Sequence, residues 1–355
     1  MLNTSTDSTT FIGADALARG HKQFAQLNRG IVAHRLGRLG EARRIFESVV
    51  KDHPEDIDAL QLLSVVYLAN ADYEDAHDVL RRLISLGGES ALIYHNLGNV
   101  LCELQRPEDA VVFYEKAAKL DPNDFDLLKN HGVTLAELGR FEEALACYEA
   151  ALSTKLDPEV LNRRGIMLTR LNRNDEAVAC YEQAVLLDPM NFDAHYNLSG
   201  LFKQLNQLDE ALACTERAIK LQPRSPLALN RLGEILIERN QSEEAVEFYK
   251  VLRQEFPKNI AIINNYGIAL HNLDFFDESI RQYRSALAID NNYFNATLNL
   301  AISLGMKNRL ESALDCFADA ELLQPTNPNV SYNRASILQT NGHLDAALES
   351  YDEAL

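Results

Sequence analysis

Residues 91–124 read ALIYHNLGNVLCELQRPEDAVVFYEKAAKLDPND, and the chain writes variants of this stretch ten times over. With Ala91 as position 1, the landmarks are Gly98 at position 8, Ala110 at 20, Tyr114 at 24, Ala117 at 27 and Pro122 at 32. The seventh copy returns Gly233, Ala245, Tyr249 and Pro257 at the same places. Copies begin at Gln23, Ile57, Ala91, Phe125, Pro158, Phe192, Pro226, Ile260, Phe294 and Pro328, a period of 34 that the fourth copy shortens by one at STKLDP. The second copy closes on SLGGES and the eighth carries Asn291 where the proline is expected. These departures fall between copies, where a change of length is best tolerated. Self-similarity at this period predicts a stack of supersecondary units rather than one enclosed core.

Within each copy the apolar residues recur at helical intervals. Leu92, Leu97, Val100, Leu101 and Leu104 form one stripe, QRPED interrupts it, and Ala110, Val111, Tyr114, Ala117 and Ala118 form a second. The spacing predicts two antiparallel helices joined by a short turn. Small residues at positions 8 and 20 are expected to let the two helices approach. The aromatic at 24 then fills the volume beside that crossing, and Ala at 27 admits the first helix of the next copy. Proline at 32 ends the second helix and pushes the residue before it out of helical geometry. One copy cannot bury its apolar face alone, so stacking makes the core continuous.

The formal net charge is −18, which argues against a nucleic-acid backbone as the main partner. Much of the acid has a local explanation. Glu74-Asp75, Glu108-Asp109, Glu142-Glu143, Asp175-Glu176, Asp209-Glu210, Glu243-Glu244 and Asp277-Glu278 all fall where a second helix should start, and carboxylates there complement the helix dipole. The opening MLNTSTDSTTF has neither a basic flank nor an apolar core, and no long apolar run follows. The expectation is a cytoplasmic protein without membrane contact. Four of the five cysteines, Cys147, Cys180, Cys214 and Cys316, sit at position 23. Successive second helices stack about 10 Å apart, beyond disulfide reach, so these thiols read as reduced packing residues. No cysteine or histidine spacing matches a zinc site.

These landmarks resemble the tetratricopeptide repeat family, and the resemblance covers residues 23–355. The family's usual tryptophan at position 4 is absent; Tyr94 stands there in one copy and Leu128, Leu161 or Leu229 in others. The resemblance implies an all-α fold, a right-handed α-solenoid superhelix of about ten helix-turn-helix repeats with an inner groove lined by first helices. Residues 1–22 are expected to be a flexible leader and the start of the first helix. The tenth copy breaks off at Leu355, just after position 27. Solenoids usually finish on a polar capping helix, so the chain reads as a fragment of a longer protein, or as one whose uncapped end self-associates.

No catalytic motif emerges: GxxxxGK[ST], GxSxG, HExxH and GxGxxG are all missing from the sequence. The chain is expected to be non-enzymatic, with no cofactor and no metal. The informative column is position 6: Asn28, Leu62, Asn96, Asn130, Arg163, Asn197, Arg231, Asn265, Asn299 and Asn333. In the family this position faces the inner groove. Asparagine offers one acceptor and two donors, so a file of amides can hold the backbone of an extended peptide; the same residues can instead solvate the wall or bond the neighbouring helix. The ladder resembles the superhelical part of O-linked N-acetylglucosamine transferases, whose repeats use an inner asparagine ladder to hold protein substrates. A different family device, the carboxylate clamp, would use His95, Asn99, Asn130 and Arg163. Here, however, His95 stands where lysine is required, and Glu159 would repel an acidic ligand.

The reading is therefore an interaction scaffold that binds a peptide or partner protein through Asn28, Asn96, Asn99, Asn130, Arg163, Asn197, Arg231, Asn265, Asn299 and Asn333. The alternative is the substrate-recognition arm of a repeat-fused glycosyltransferase. A third possibility is a spacer that uses its outer face and leaves the ladder silent.

Overall fold

The computed structural model describes residues 20–354. Residues 1–19 of the expected leader, and Leu355, lie outside the described residues. Two compact units divide the chain, Met1–Leu187 and Asp188–Leu355.

In the first unit five helix pairs follow one another. They are α1 (His21–Arg35) with α2 (Leu39–Asp52), α3 (Ile57–Ala69) with α4 (Tyr73–Ser85), and α5 (Ala91–Glu103) with α6 (Pro107–Leu120). Then come α7 (Phe125–Glu137) with α8 (Phe141–Thr154), and α9 (Pro158–Arg170) with α10 (Asn174–Leu187). The second unit repeats the scheme. Its pairs are α11 (Phe192–Gln204) with α12 (Leu208–Leu221), α13 (Pro226–Glu238) with α14 (Ser242–Glu255), and α15 (Ile260–His271) with α16 (Phe276–Leu287). They continue with α17 (Phe294–Met306) and α18 (Leu310–Leu323), and α19 (Pro328–Thr340) and α20 (Leu344–Asp352). Each pair is one copy of the repeat, and each unit is an all-α solenoid segment.

Local chemistry starts and stops these helices. Eight first helices are capped by an Asp, Ser or Asn from the last position of the preceding copy. Asp56, Ser90, Asp124, Asp157, Asn191, Ser225, Asn259 and Asn327 each accept a backbone N–H from the first turn. Second helices have no such cap. They begin after a reversal in which position 15 is left-handed in every copy, with φ from +56° at Asn308 to +85° at Gly342. The next residue then donates its N–H back across the turn, as from Arg106 to the Leu101 carbonyl at 2.8 Å and from Arg140 to the Leu135 carbonyl at 2.9 Å. This six-to-one bond closes the first helix and launches the second. The sequence reading marked these turns but not their handedness. Gly37, Gly139 and Gly342, with Asn172, Asn206, Asn240 and Asn308, occupy one column and were the available signal. The acidic pairs do fall in the first turns of α4, α6, α8, α10, α12, α14 and α16.

Packing within a copy turns on positions 8 and 24. A methyl group on Gly98 would stand 2.5 Å from the Tyr114 ring, on Gly132 2.6 Å from Tyr148, on Gly165 2.6 Å from Tyr181, and on Gly267 2.4 Å from Tyr283. The aromatic ring therefore lies directly over the glycine, rather than beside a contact between positions 8 and 20 as the sequence suggested. Where position 24 shrinks, position 8 grows. Thr215 replaces the aromatic in the sixth copy, Ser199 replaces the glycine, and the Ser199 hydroxyl donates to the Ala211 carbonyl at 3.0 Å. Ala117, Ala151 and Ala184, at position 27, are fully buried, as docking of the next first helix requires.

Candidate partner-binding wall

First helices carry the candidate residues, and hydrogen bonds between successive first helices show how position 6 is used. In the first unit the Asn130 amide nitrogen donates to His95 Nε2 at 3.1 Å and to Asn99 Oδ1 at 3.1 Å. Asn99 Oδ1 also accepts the Tyr114 hydroxyl at 2.8 Å. Position 6 of one copy thus reaches positions 5 and 9 of the copy before. Burial fixes the protonation states in this network. It lowers the His95 pKa, with Asp124 and Asp126 opposing weakly, and raises that of the Tyr114 phenol. Both groups are neutral near pH 7, and the imidazole is an acceptor for Asn130.

The second unit repeats the rule. The Asn265 amide nitrogen donates to Asn230 Oδ1 at 3.1 Å and to Glu234 Oε1 at 3.3 Å, and Asn299 donates to Asn264 Oδ1 at 3.1 Å. Arg231 does the same with different chemistry, donating to the Tyr196 hydroxyl at 3.2 Å with its guanidinium 4.9 Å from that ring's centre. Asn333 turns to its own helix, donating to the Asn329 carbonyl at 2.7 Å. Asn197 is half-buried and engaged.

Charges on the wall are matched. In the first unit Lys129 lies 2.6 Å and Arg163 3.0 Å from the Glu159 carboxylate. Burial pushes the Glu159 pKa up, but the two cations outweigh it and hold the pKa below the ordinary carboxylate value. In the second unit Lys203 pairs with Glu234 at 3.1 Å and Glu238 at 3.0 Å, and these raise its pKa against the effect of burial. No lane of one sign results, and Arg163 is committed to the very carboxylate that the clamp reading found in its way.

The sequence-predicted residues therefore divide. Asn99, Asn130, Arg231, Asn265 and Asn299 join neighbouring copies; Arg163 and Asn333 bond within their own helices. Asn28 and Asn96 are half-buried, and the Asn96 amide has no hydrogen-bond partner among the described residues. The structure adds Asn230, Asn264, Glu234 and Tyr196 to the wall and turns His95, considered above only for the clamp, into an acceptor for Asn130. Position 5 was the column to read beside position 6, but its residue types vary too much to stand out. Among the described residues no group of three His, Cys, Asp or Glu side chains converges as metal ligands would. Among the described residues the cysteines form no disulfide, with Cys180 buried and the others half-buried; burial raises the Cys147 pKa to about 11, far from a reactive thiolate.

An all-helical stack of two-helix repeats, built on Gly-aromatic crossings and joined through first-helix amides, defines a repeat solenoid. Family models for the tetratricopeptide repeat match residues 33–97, 89–157, 201–260 and 328–355, and a further TPR repeat model matches 165–199. The chain belongs to the tetratricopeptide repeat family. It is 28% identical to protein FlbA of Caulobacter vibrioides over 139 residues, 37% of this chain and 23% of that protein. It is 30% identical over 135 residues to the UDP-N-acetylglucosamine–peptide N-acetylglucosaminyltransferase of Giardia intestinalis, 37% of this chain and 9% of that one. The matched segments are thus less than a quarter of these relatives' lengths. Among solved structures, a tetratricopeptide repeat protein from Parabacteroides merdae superposes with a TM-score of 0.61 at 17% identity, covering 73% of this chain and 98% of that one. Proteins of this family serve as protein-interaction scaffolds. Among the described residues no helix is long and apolar enough to cross a membrane.

Proposed function

We propose that this chain is a cytoplasmic scaffold that holds an extended segment of a partner protein along its first-helix wall. The observation that carries the reading is the unspent hydrogen-bonding capacity there. Among the described residues the Asn96 amide is unpaired, and Asn130 and Asn299 spend their nitrogens on the stack while their side-chain carbonyl oxygens bond no other side chain. Half-buried amides of this kind suit a peptide backbone, which supplies one donor and one acceptor per residue. Matched charges leave a nearly neutral wall, so binding should tolerate many side chains and change little with salt. Reduced cysteines fit a cytoplasmic setting.

The test is a peptide-library selection on the whole chain, followed by affinity measurements on single variants. Asn96→Ala should weaken selected peptides by about 0.5–1.5 kcal/mol, with little dependence on peptide sequence or ionic strength. Val112→Ala, on the exposed side of α6, should leave affinity unchanged. The reverse pattern would refute the groove reading and favour a spacer that works through its outer face.

A second reading has one observation behind it, the likeness to the Giardia transferase. In that reading the same wall presents peptides to a sugar-transferring domain of the full-length protein. Sugar transfer to wall-bound peptides by the full-length protein, abolished by Asn96→Ala together with Asn130→Ala, would separate it from a pure scaffold.

A further inference from the structure

We propose that the cleft between α6, α7 and α8 is a docking site for the arginine side chain of a partner protein. The cleft has a volume of about 380 Å³ and is lined by Glu115 and Lys119 of α6, Leu128 and His131 of α7, and Cys147 and Ala150 of α8. None of the position-6 amides lines it, so this site stands independently of the first-helix wall. Other copies of the repeat show what fills the same place. In the third copy positions 4, 23 and 26 hold Tyr94, Phe113 and Lys116; the two rings stack at 6.2 Å, and the Lys116 ammonium lies 5.2 Å from the centre of the Phe113 ring. In the fifth copy position 7 is Arg164, whose guanidinium donates to the Cys180 sulfur at 3.4 Å and pairs with the Glu149 carboxylate at 2.9 Å. The tenth copy repeats this with Arg334, which donates to the Ser350 hydroxyl at 3.2 Å and pairs with Glu321 at 3.3 Å. In the fourth copy positions 4, 7, 23 and 26 are only Leu128, His131, Cys147 and Ala150, and the cleft stays open.

The groups left in the cleft are those that hold an arginine elsewhere in the chain. Glu115 stands at position 25 of α6 as Glu149 does in α8, and unlike Glu149 it joins no ion pair among the described residues. Cys147 stands where Cys180 does, with its sulfur 3.5 Å from His131 Nδ1. His131 is 8% exposed, and its Nε2 atom is buried without a hydrogen-bond partner. An entering guanidinium thus meets a carboxylate and a thiol, and Leu128 and Ala150 offer its methylenes an apolar wall. The planar fork of arginine suits such a set better than the compact ammonium of lysine. Lys119 is the opposing charge in the lining; it is exposed, on a stem long enough to swing into water. The net charge of −18 also favours a cationic visitor.

The test is a titration of the whole chain, carbon-13 labelled at its alanine methyls, with a short Gly-Ser peptide that carries one arginine. Ala118, Ala146 and Ala150 line the cleft, so their methyl signals should shift and saturate. The same peptide with lysine or citrulline in place of arginine should need at least about tenfold more to reach the same shift. Glu115→Gln changes an exposed carboxylate and should weaken the arginine peptide about three- to tenfold. His131→Arg should place a guanidinium in the cleft from within the chain, as Arg164 does, and abolish binding with helical circular dichroism unchanged. Should that variant misfold, Cys147→Phe with Ala150→Lys writes the third copy's filling into the fourth and should block the cleft equally. Absence of saturable shifts at the three alanines overturns the proposal. So do equal shifts from the arginine and lysine peptides, which mark general charge attraction, or full binding by a folded chain whose cleft has been filled.

Discussion

Gly132→Ala probes the packing unit on which the stack depends. The added methyl would stand 2.6 Å from Tyr148 Cε1 and 2.9 Å from Cδ1, well inside the roughly 3.5 Å at which carbon atoms rest. Tyr148 is 1% exposed and has no route to solvent, so either its ring or α7 must shift. Overpacking of this kind costs about 1–3 kcal/mol. Against it stands a gain of about 0.8–1 kcal/mol in helix propensity when alanine replaces glycine. The expected net loss is about 0–2 kcal/mol. Each repeat touches only its neighbours, so the loss should appear as faster amide hydrogen exchange in α7, α8 and the helices packed on them, and leave α1 and α2 protected. The sixth copy supplies the compensation, since it pairs Ser199 with Thr215. Gly132→Ser with Tyr148→Thr should cost less than the two single changes added together, by about 1 kcal/mol. Should Gly132→Ala raise stability, propensity has won and the ring does not sit on the glycine. Exchange that quickens evenly from α1 to α10 would refute the one-dimensional coupling.

Three further outcomes follow from particular contacts. Ala71 and Gln105 hold left-handed backbone at φ +59°, so Ala71→Gly and Gln105→Gly should each raise stability by about 0.5–1 kcal/mol in urea titrations; a loss would mean the turn is not strained. Burial holds the pKa of His95 and His131 below 6.5, so the unfolded chain takes up protons first as pH falls. Stability should be full above pH 6.5 and decline as pH drops through the lowered native values, and His95→Gln with His131→Gln should flatten that decline in melts from pH 8 to 5. Asn130→Ala strands the His95 acceptor and leaves Asn99 Oδ1 with the Tyr114 hydroxyl alone, and should cost about 1–3 kcal/mol, whereas Asn96→Ala should leave melting within ~0.5 kcal/mol of wild type; equal effects would erase the distinction between joining and free amides.

The repeat period, the helix pairs, their caps and the identity of the core landmarks were all legible in the amino-acid sequence. Each depends on interactions within about 34 residues, and ten copies of the same local pattern reinforce one another. The first-turn acids and the terminating prolines are likewise local effects. Position 6 was legible as a column of amides, but its partners were not.

Only the tertiary structure decided that Asn130 reaches back 35 residues to His95 while Asn96, one repeat earlier, reaches nothing. The two share a residue type and a position; they differ in what the preceding copy offers at positions 5 and 9, Gln61 and Val65 for one and His95 and Asn99 for the other. The ring over the glycine was hidden for a similar reason. Sequence spacing shows that two small positions exist, whereas the direction of a side chain across a helix crossing depends on how the two axes meet. The exposure of Val32 and Leu348 is the plainest case. Val66, Val100 and Ile235 at position 10, which Val32 shares, and Val111, Leu145 and Ile280 at position 21, which Leu348 shares, are equally apolar and buried, and what makes Val32 and Leu348 surface rather than core is the absence of a neighbour among the described helices. Burial is a property of what packs against a residue, and no single repeat encodes it.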